Sequence, residues 1–320
     1  MTLDLAPHLK LPDGPSTREA FGEALAEIGS DERIVVVDGD VNNSTYTNKF
    51  KERYAERFFN AGIAESNMIG IAAGLAASGK IPVAASFSTF LMSNAFDQIR
   101  MSVAFPNLNV KLVGTHAGIS IGEDGPSQMA IEDIALACSL PGFTVIVPAD
   151  GPTAAAATKA MVEREGPTFL RCGRPDVPIV YDDMSKFHLG KATTLRDGDD
   201  VTIVANGIMV AMALDAAETL KGEGVETRVL DMHSVKPVDV QSIERAANET
   251  KGLVVAEEHL AYGGLGATVS MVVAERRPTR MAFVNIGDTY ATSGTPQQLL
   301  GQYGLTPEVI ADSARRVLKD

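Results

Sequence analysis

The hydrophobic positions of this chain fall into short β-branched runs separated by longer segments with helical spacing. Short apolar runs bounded by Gly, Pro or Asp are typical of buried strands, whereas apolar residues at a period of 3.6 are typical of helices. The pattern predicts strands at 34–37, 81–87, 110–114, 143–147, 168–171, 201–205, 226–231, 253–257 and 281–286. It predicts helices at 16–29, 65–78, 91–104, 131–139, 153–165, 209–221, 240–249, 265–275 and from 306 onward.

This alternation predicts an α/β fold, because parallel strands need helical crossovers that cover both faces of the sheet. The alternation lapses between Gly173 and Asp199, where Pro, Asp and Lys dominate. We therefore expect two domains, 1–174 and 199–320, joined by a linker at 175–198. Each domain is expected to be a mostly parallel sheet flanked by helices.

Composition narrows the class of protein. The chain has 320 residues and 45% hydrophobic content, enough for two cores, and its formal charge of −13 disfavours nucleic acid or an anionic membrane as a partner. Cys138 and Cys172 lack metal-ligand spacing and fit a reducing cytoplasm. The first residues lack the pattern of a secretory signal, and Lys80 and Pro82 break the longest apolar tract, so we expect no membrane span.

Two strings in the first domain carry the strongest functional signal. They are RFFNAGIAESNMIGIAAGLAASG at 57–79 and GTHAGISIGEDGPSQMAIEDIA at 114–135. The first resembles the transketolase segment with the glutamate that activates thiamine diphosphate, and the second resembles the substrate loop of the same family. The resemblance extends over nearly the whole chain and covers the pyrimidine-binding and C-terminal domains of a transketolase. It implies transfer of a two-carbon ketol unit from a ketose phosphate to an aldose phosphate.

Glu65 matches the activating glutamate. A carboxyl group hydrogen-bonded to the aminopyrimidine ring stabilises the imino form of thiamine, whose nitrogen then removes the thiazolium proton. The protein must hold that carboxyl in a dry setting where it can share a proton with the ring, and Asp would be one methylene too short. Without the surrounding string, an acid here would be explained by the helix dipole, which favours negative charge in a first turn.

The metal site of the family is not matched by this sequence. Transketolases bind the diphosphate through Mg²⁺ at a Gly-Asp-Gly sequence with a later Asn, whereas this chain has Asp38-Gly39-Asp40 followed at once by Asn42-Asn43. We interpret this segment as a polar loop in which Asp40 and Ser44 match positions near cofactor and sugar. The resemblance implies a separate N-terminal transketolase subunit that supplies the diphosphate and Mg²⁺ site, and a heterotetramer with two copies of each subunit.

Aromatic residues are expected beside the cofactor. Phe87 and Phe90 match positions where the family places rings against the pyrimidine. Their spacing of three also suits a buried face at a strand-to-helix junction, so core packing is the alternative. Ser93 stands where transketolases often have a third aromatic, and that wall is expected to differ.

Arg18, Ser44, His116 and Arg171 match family positions that contact the far end of a phosphorylated sugar. Arg and His would supply charge-assisted donors, and Ser a neutral one. A solvated surface charge is the alternative for Arg18. Arg171 lies at a strand end, where open α/β sheets bind ligands.

Asp124 and Gln128 belong to the substrate-loop string. Asp124 is expected to hydrogen-bond a sugar hydroxyl, and a turn-forming Asp is the alternative. Many transketolases have His where this chain has Gln128, which can hydrogen-bond but cannot carry charge or transfer a proton near neutral pH. The change is expected to spare the cofactor chemistry and to alter which ketose or aldehyde is used.

In the second domain, Glu257-Glu258-His259 and the glycines at 263–266 do not predict a metal or nucleotide site. Adjacent strand residues point to opposite faces, and the glycines lack the full dinucleotide fingerprint. We interpret them as a strand-end loop with subunit contacts, and His233 as structural. This domain is therefore expected to support assembly rather than catalysis.

The sequence thus predicts a cytoplasmic transketolase subunit in which Glu65 activates the cofactor while His116 and Asp124 position the substrate. The pentose phosphate pathway is the expected setting. One alternative is a 2-oxoacid dehydrogenase beta subunit, which has the same two domains and an equivalent glutamate, although the GEDGP string favours transketolase. Deoxyxylulose phosphate synthase is another relative, but is normally one long chain. A non-catalytic regulatory homologue is a further alternative: the intact Glu65 region argues against it, and the absence of the metal-binding domain leaves it open.

Overall fold

The computed structural model describes residues 2–182, 184 and 187–319, which fold into two α/β units. The strands are β1 (Asp13–Ser16), β2 (Ile34–Asp38), β3 (Phe58–Asn60), β4 (Ile81–Phe87), β5 (Lys111–Thr115), β6 (Thr144–Ile146), β7 (Thr168–Arg171), β8 (Asp176–Pro178), β9 (Thr193–Arg196), β10 (Val201–Ala205), β11 (Thr227–Asp231), β12 (Ser234–Lys236), β13 (Leu253–Ala256) and β14 (Met281–Val284). The helices are α1 (Thr17–Ile28), α2 (Asn42–Thr45), α3 (Asn48–Arg53), α4 (Glu65–Ala77), α5 (Phe96–Gln98), α6 (Asp133–Ser139), α7 (Gly151–Glu163), α8 (Met209–Lys221), α9 (Val240–Glu249), α10 (Leu265–Arg276), α11 (Pro296–Gln302) and α12 (Pro307–Lys319). None of the helices described is long and apolar enough to cross a membrane.

The sheet of the first unit has the strand order β12-β6-β7-β5-β4-β2-β3. Its six strands from the first unit run parallel, whereas β12 comes from the second unit and pairs antiparallel with β6. Every residue of β2 and β5 is buried, as expected for a parallel sheet covered on both faces. The predicted parallel α/β architecture is confirmed.

The sheet of the second unit has the order β14-β13-β10-β11-β9. Its strands are parallel except β9, which pairs antiparallel with β11 at the edge. Strand β9 falls inside the segment 175–198 that the composition predicts to be a linker, and β8 of the same segment pairs with β1. Residues 183, 185 and 186 of that segment lie outside the described residues. Short edge strands carry little periodicity, which is why the pattern missed them.

The hydrophobic core continues from one unit into the other. One buried cluster contains Met68 and Phe143 from the first unit together with Leu230 and Val255 from the second. Because apolar side chains of both units are buried against each other in this cluster, the hydrophobic effect stabilises the packing of the two units.

Helix termini show how local sequence sets the elements. Ser16 caps α1 by accepting from the Glu19 N–H at 3.3 Å. The helix predicted at 91–104 is a helical run in which α5 lies between the π-helical stretches Phe90–Asn94 and Ile99–Ala104. Helix α11, which the pattern missed, begins with a capping box between Thr295 and Gln298.

Candidate active site

The candidate site lies at the carboxyl edge of the first sheet, beyond the ends of β2, β4, β5 and β7. This edge is the usual ligand-binding edge of open parallel sheets. Strand β2 has β3 on one side and β4 on the other, so the chain reverses its direction of travel across the sheet at this point. Glu65 begins α4 at the same edge.

Glu65 is held in a protected position. Its side chain is 7% exposed, and its Oε1 accepts a hydrogen bond from the Ser86 hydroxyl at 2.9 Å. Gly39 lies opposite, where a Cβ atom would stand 3.0 Å from Ser86 Oγ and 3.6 Å from Glu65 Oε1. The Ser86 hydroxyl, a neutral donor, therefore orients the carboxyl group, and the Gly39 backbone lies close beside it.

The loop after β2 is folded around Asp38. This buried carboxylate accepts from the Val41 N–H at 2.7 Å and from the Thr45 and Thr47 hydroxyls at 2.8 Å each. Burial raises the pKa of the Asp38 carboxyl, and these hydrogen bonds oppose that rise. The carboxylate thus fixes the path of residues 39–47, where two of the predicted site residues lie.

Those two residues are Asp40 and Ser44. Asp40 has a left-handed backbone, with φ at 69°, and accepts from the Asn60 amide at 2.6 Å. Ser44 contributes its carbonyl oxygen, which accepts from Arg18 Nη1 at 2.8 Å. Asp40 is exposed at this edge.

Phe87 and Phe90 form a half-buried aromatic wall. Their ring centroids are 6.2 Å apart with an interplanar angle of 14°. Phe87 also stacks on the imidazole of His116, with centroids 3.8 Å apart and planes inclined by 19°. Phe87 therefore contacts a predicted substrate residue, and neither phenylalanine is a fully buried core side chain.

His116 is neutral in this setting. It follows β5 with a left-handed backbone, φ 59°, and its Nε2 lies 3.1 Å from Arg18 Nη1. A guanidinium can only donate, so Nε2 accepts and the proton is on Nδ1, which donates to Thr115 Oγ1 at 2.9 Å. Burial, with the charges of Arg18 and Arg174, lowers the pKa of His116 to about 3. The sequence predicts that His116 is a charge-assisted donor, whereas in the structure its side chain is a neutral imidazole.

Arg171 lies at the end of β7, as the sequence predicts, but its side chain is buried and not open to a ligand. Its side chain is 5% exposed and forms an ion pair of 2.8 Å with Asp133, which is 1% exposed. Its Nη2 donates to the carbonyls of Ala130 and Glu258 at 3.1 and 3.0 Å. A guanidinium enclosed in this way is a structural cross-link and not a surface that a sugar phosphate can reach, so the predicted role of Arg171 is corrected.

Arg174 is the basic residue that the sequence analysis missed. Its side chain is 36% exposed, its carbonyl accepts from Arg18 Nε at 3.3 Å, and its charge acts on His116. Nη1 donates to the Ile121 carbonyl at 2.7 Å and lies 3.7 Å from Asp124. The available signal was position, because Arg174 stands three residues beyond β7 whereas Arg171 is the last residue inside it.

Asp124 and Gln128 lie on the loop between His116 and α6. Asp124 ends a 3-10 stretch, Ile119–Asp124, and its carboxylate is about one-third exposed beside Arg174. Gln128 Oε1 accepts from the Ser127 hydroxyl. The structure thus brings Arg18, Ser44, His116, Asp124 and Arg174 to one region, and separates Arg171 from them.

Comparison with known proteins identifies the family. The transketolase pyrimidine binding domain matches residues 13–179, and the transketolase C-terminal domain matches residues 190–310. The chain belongs to the transketolase family. Membership confirms the family and the fold expected from the sequence, and the pyrimidine-binding domain implies dependence on thiamine diphosphate.

The relatives include separate chains and whole transketolases. The putative transketolase C-terminal section of Methanocaldococcus jannaschii is 41% identical over 307 residues, covering 95% of both chains. The 6-deoxy-6-sulfo-D-fructose transketolase subunit SqwH of Clostridium sp. (strain MSTE9) is 38% identical over 94% of both. Human transketolase is 39% identical over 98% of this chain, which spans 50% of that protein.

Solved transketolase structures have the same fold as this chain. A split gene transketolase, described as an inactive beta4 tetramer, superposes with a TM-score of 0.89 at 45% identity, covering 95% of this chain and 99% of that one. Transketolase from Leishmania mexicana superposes with a TM-score of 0.82 at 24% identity over 48% of its own chain, which shows the shared fold.

The transketolase site fits the pyrimidine end of thiamine diphosphate. A protected carboxyl group, a close backbone wall at Gly39 and an aromatic wall at Phe87 and Phe90 are the features that such a ring requires. Across the residues described, no group of three or more His, Cys, Asp or Glu side chains is arranged to hold a metal ion.

Proposed function

We propose that this chain is the pyrimidine-side subunit of a split transketolase. Together with a separate diphosphate-binding subunit, it would transfer a two-carbon ketol unit between a ketose phosphate and an aldose phosphate. The observation that carries the proposal is the protected Glu65 carboxyl, oriented by Ser86 at the same sheet edge where Arg18 and Arg174 meet. One end of this site suits the cofactor and the other suits an anion.

The residues of this chain have separate tasks in the proposal. Glu65 shares a proton with the aminopyrimidine ring, and Ser86 keeps the carboxyl group aimed. When bound, thiamine diphosphate supplies the carbon nucleophile and the electron sink for carbon–carbon bond cleavage. Phe87 and Phe90 exclude water from that ring, and Asp40 borders it.

The sugar would be held at the opposite end of the site. Asp124 accepts from a hydroxyl, and Gln128 contributes a neutral hydrogen bond. Because His116 is neutral, the positive charge that binds the distal anion comes from Arg18 and Arg174. Ser44 and His116 orient Arg18 toward that anion.

A partner subunit is part of the proposal. Mg²⁺ and its ligands would come from that N-terminal transketolase subunit, in a cytoplasmic heterotetramer of two copies of each chain. The similar chains named as a C-terminal section and as a subunit support this, as does the similar split gene transketolase that is described as an inactive beta4 tetramer. This chain spans 50% of the length of human transketolase.

The distal anion defines the substrate class. A phosphate ester, as in the pentose phosphate pathway, fits two guanidinium groups. A sulfonate is also anionic, and the Clostridium relative is named for a sulfo-fructose. Both kinds of ketose therefore belong in the assay, with the phosphate ester proposed as the substrate.

The test is ketol transfer by the purified chain, alone and mixed with a candidate diphosphate-binding subunit, in thiamine diphosphate and Mg²⁺. Activity is expected only in the mixture. Glu65→Gln keeps the size of the side chain but cannot share a proton with the ring, so we expect a loss of about 10²–10⁴-fold. Glu27→Gln, at a 59%-exposed position on α1, is the matched control and should retain activity.

Two outcomes would overturn the proposal. Decarboxylation of pyruvate without transfer from any ketose would replace transketolase by the dehydrogenase beta subunit. Cofactor binding by the mixture without any turnover would support a regulatory homologue.

A further inference from the structure

The loop that carries His116 and Asp124, residues 116–130, is fastened to the second unit of the protein. We infer that Glu258, from the C-terminal unit, is a positioning residue that sets the conformation of this loop. The inference rests on the proposed function only for its catalytic consequence, because the contact itself is independent of catalysis.

The central contact is a hydrogen bond across the two units. Glu258 Oε1 accepts from the Ser120 N–H at 2.6 Å, although 138 positions separate them in the chain. Ser120 is fully buried and Glu258 is 5% exposed. Because water is excluded, this hydrogen bond is strong, and loss of the acceptor would leave the Ser120 N–H buried and unsatisfied.

The loop is shaped to receive this carboxylate. Gly118 has φ 81°, and a Cβ atom there would lie 2.1 Å from the Glu258 carboxyl carbon. Only glycine combines that backbone angle with so close an approach. Glu258 therefore occupies the space that a side chain at position 118 would need.

Arg171 links Glu258 to Ala130, the last residue of the loop. Its Nη2 donates both to the Glu258 carbonyl and to the Ala130 carbonyl. The Ala130 carbonyl also accepts from the Gly118 N–H at 2.8 Å, which closes the loop on itself. The buried arginine thus acts on the site through the backbone, without contacting a ligand.

Two further contacts join the loop to the second unit. Ile119 and Ile121 are fully buried in a cluster with Val201 and Ile203 of the second core. A Cβ atom at Gly122 would lie 2.7 Å from Pro296 Cδ, at the start of α11. The second unit therefore packs along the loop, and Glu258 supplies the acceptor for the Ser120 N–H.

The position of the loop matters for substrate. Arg174 donates to the Ile121 carbonyl, and Asp124 ends the same 3-10 stretch. If the Ser120 N–H loses its acceptor, the loop that aims Asp124 and Arg174 loses its anchor. The expected consequence is weaker substrate binding with the chemical step preserved, because Glu65 lies on α4 and makes none of these contacts.

The test compares two substitutions of matched size, Glu258→Gln and Glu258→Met. Gln retains an oxygen that can accept from Ser120, whereas Met fills the space without an acceptor. In the chain alone, amide exchange at residues 118–122 should be about tenfold faster in Glu258→Met than in Glu258→Gln, relative to amides of α8. In the assembled enzyme, KM for the ketose phosphate should rise about tenfold in Glu258→Met, with kcat within about twofold of that of Glu258→Gln.

Glu257→Met is the matched control. Glu257 is also buried, but its carboxyl oxygens accept from the Leu265 and Gly266 N–H groups at the start of α10, at 2.7 Å each, and not from the Ser120 N–H. It should lower stability while leaving loop exchange unchanged. Gly118→Ala offers a second variant, if Glu258→Met does not fold, and should show the same faster loop exchange.

The inference is overturned if Glu258→Met and Glu258→Gln show equal loop exchange, or if Glu257→Met accelerates the loop as much as Glu258→Met does. Failure of the proposed function is distinguishable, since the exchange comparison needs no turnover. Equal KM values in an active mixture, despite faster exchange in Glu258→Met, would overturn the catalytic consequence.

Discussion

Arg18 Nη1 lies 3.1 Å from Nε2 of His116, although 98 positions separate the two residues in the chain. Because the guanidinium can only donate, Nε2 of the imidazole must accept and therefore carries no proton, so the ring is neutral. The same contact orients the guanidinium toward the candidate site. Arg174 adds a second positive charge beside them. A chain with a formal charge of −13 thus concentrates two cations at one sheet edge.

Substitution of Arg174 tests the anion-binding role. Arg174→Met should raise KM for a phosphorylated ketose about 10–100-fold, because a charge-assisted hydrogen bond is lost, and should change KM for the unphosphorylated ketose much less. Arg33→Met, at an exposed surface pair with Asp31, is the control and should leave both values unchanged. An equal loss for both ketoses in steady-state kinetics would contradict the anion-binding role.

Stability against pH tests the neutral state of His116. Its folded pKa of about 3 lies below the unfolded value near 6.5, so the unfolded chain binds the extra proton and stability is lost as pH falls through that window. The difference in unfolding free energy between wild type and His116→Asn should shrink by up to about 1.4 kcal/mol per pH unit from pH 6 to pH 4 and be constant above pH 7. Asn tolerates the left-handed backbone there. Urea titrations at each pH measure this difference, and a pH-independent difference would show that the imidazole titrates normally.

The buried pair of Arg171 and Asp133 should govern stability. Arg171→Met leaves a buried carboxylate unpaired and should cost about 3–5 kcal/mol. Adding Asp133→Asn removes that charge and should recover about 1–2 kcal/mol. Arg174→Met breaks one part-buried hydrogen bond to the Ile121 carbonyl at 2.7 Å and two half-exposed ion-pair contacts at 3.7 Å, so it should cost only about 1 kcal/mol. Urea midpoints compare the three variants, and similar losses for Arg171→Met and Arg174→Met would contradict the assignment.

The Asp38 carboxylate should control the loop at 39–47. In Asp38→Asn, the side-chain NH2 group would face groups that donate to the carboxylate in the wild type, namely the Val41 N–H and the Thr45 and Thr47 hydroxyls. We therefore expect the free energy of unfolding to fall by about 1–3 kcal/mol and proteolysis of that loop to become faster. Asp31→Asn, which affects a surface pair with Arg33, should cost under about 1 kcal/mol. Limited proteolysis with urea unfolding checks both, and an Asp38→Asn chain as resistant as wild type would show that the carboxylate does not hold the loop.

Local sequence predicted much of the fold. The bounds predicted for β4, β10, α8 and α9 coincide with those of the structure. Each has the apolar spacing or the flanking residues that determine an element without help from distant parts of the chain. Edge strands β9 and β12 escaped prediction because each is short and is stabilised by a partner strand far away in sequence.

The sequence by itself determined the family, the α/β class and the position of Glu65, since an unbroken string with a fixed spacing carries that information. Only the tertiary structure distinguished the buried Arg171 from the partly exposed Arg174, because the two stand three residues apart at the end of one strand and their surroundings come from elsewhere in the chain. It also decided that Glu258 contacts the loop, across 138 positions. Burial and pairing belong to the packed molecule, and no local pattern encodes which two distant groups will share a hydrogen bond.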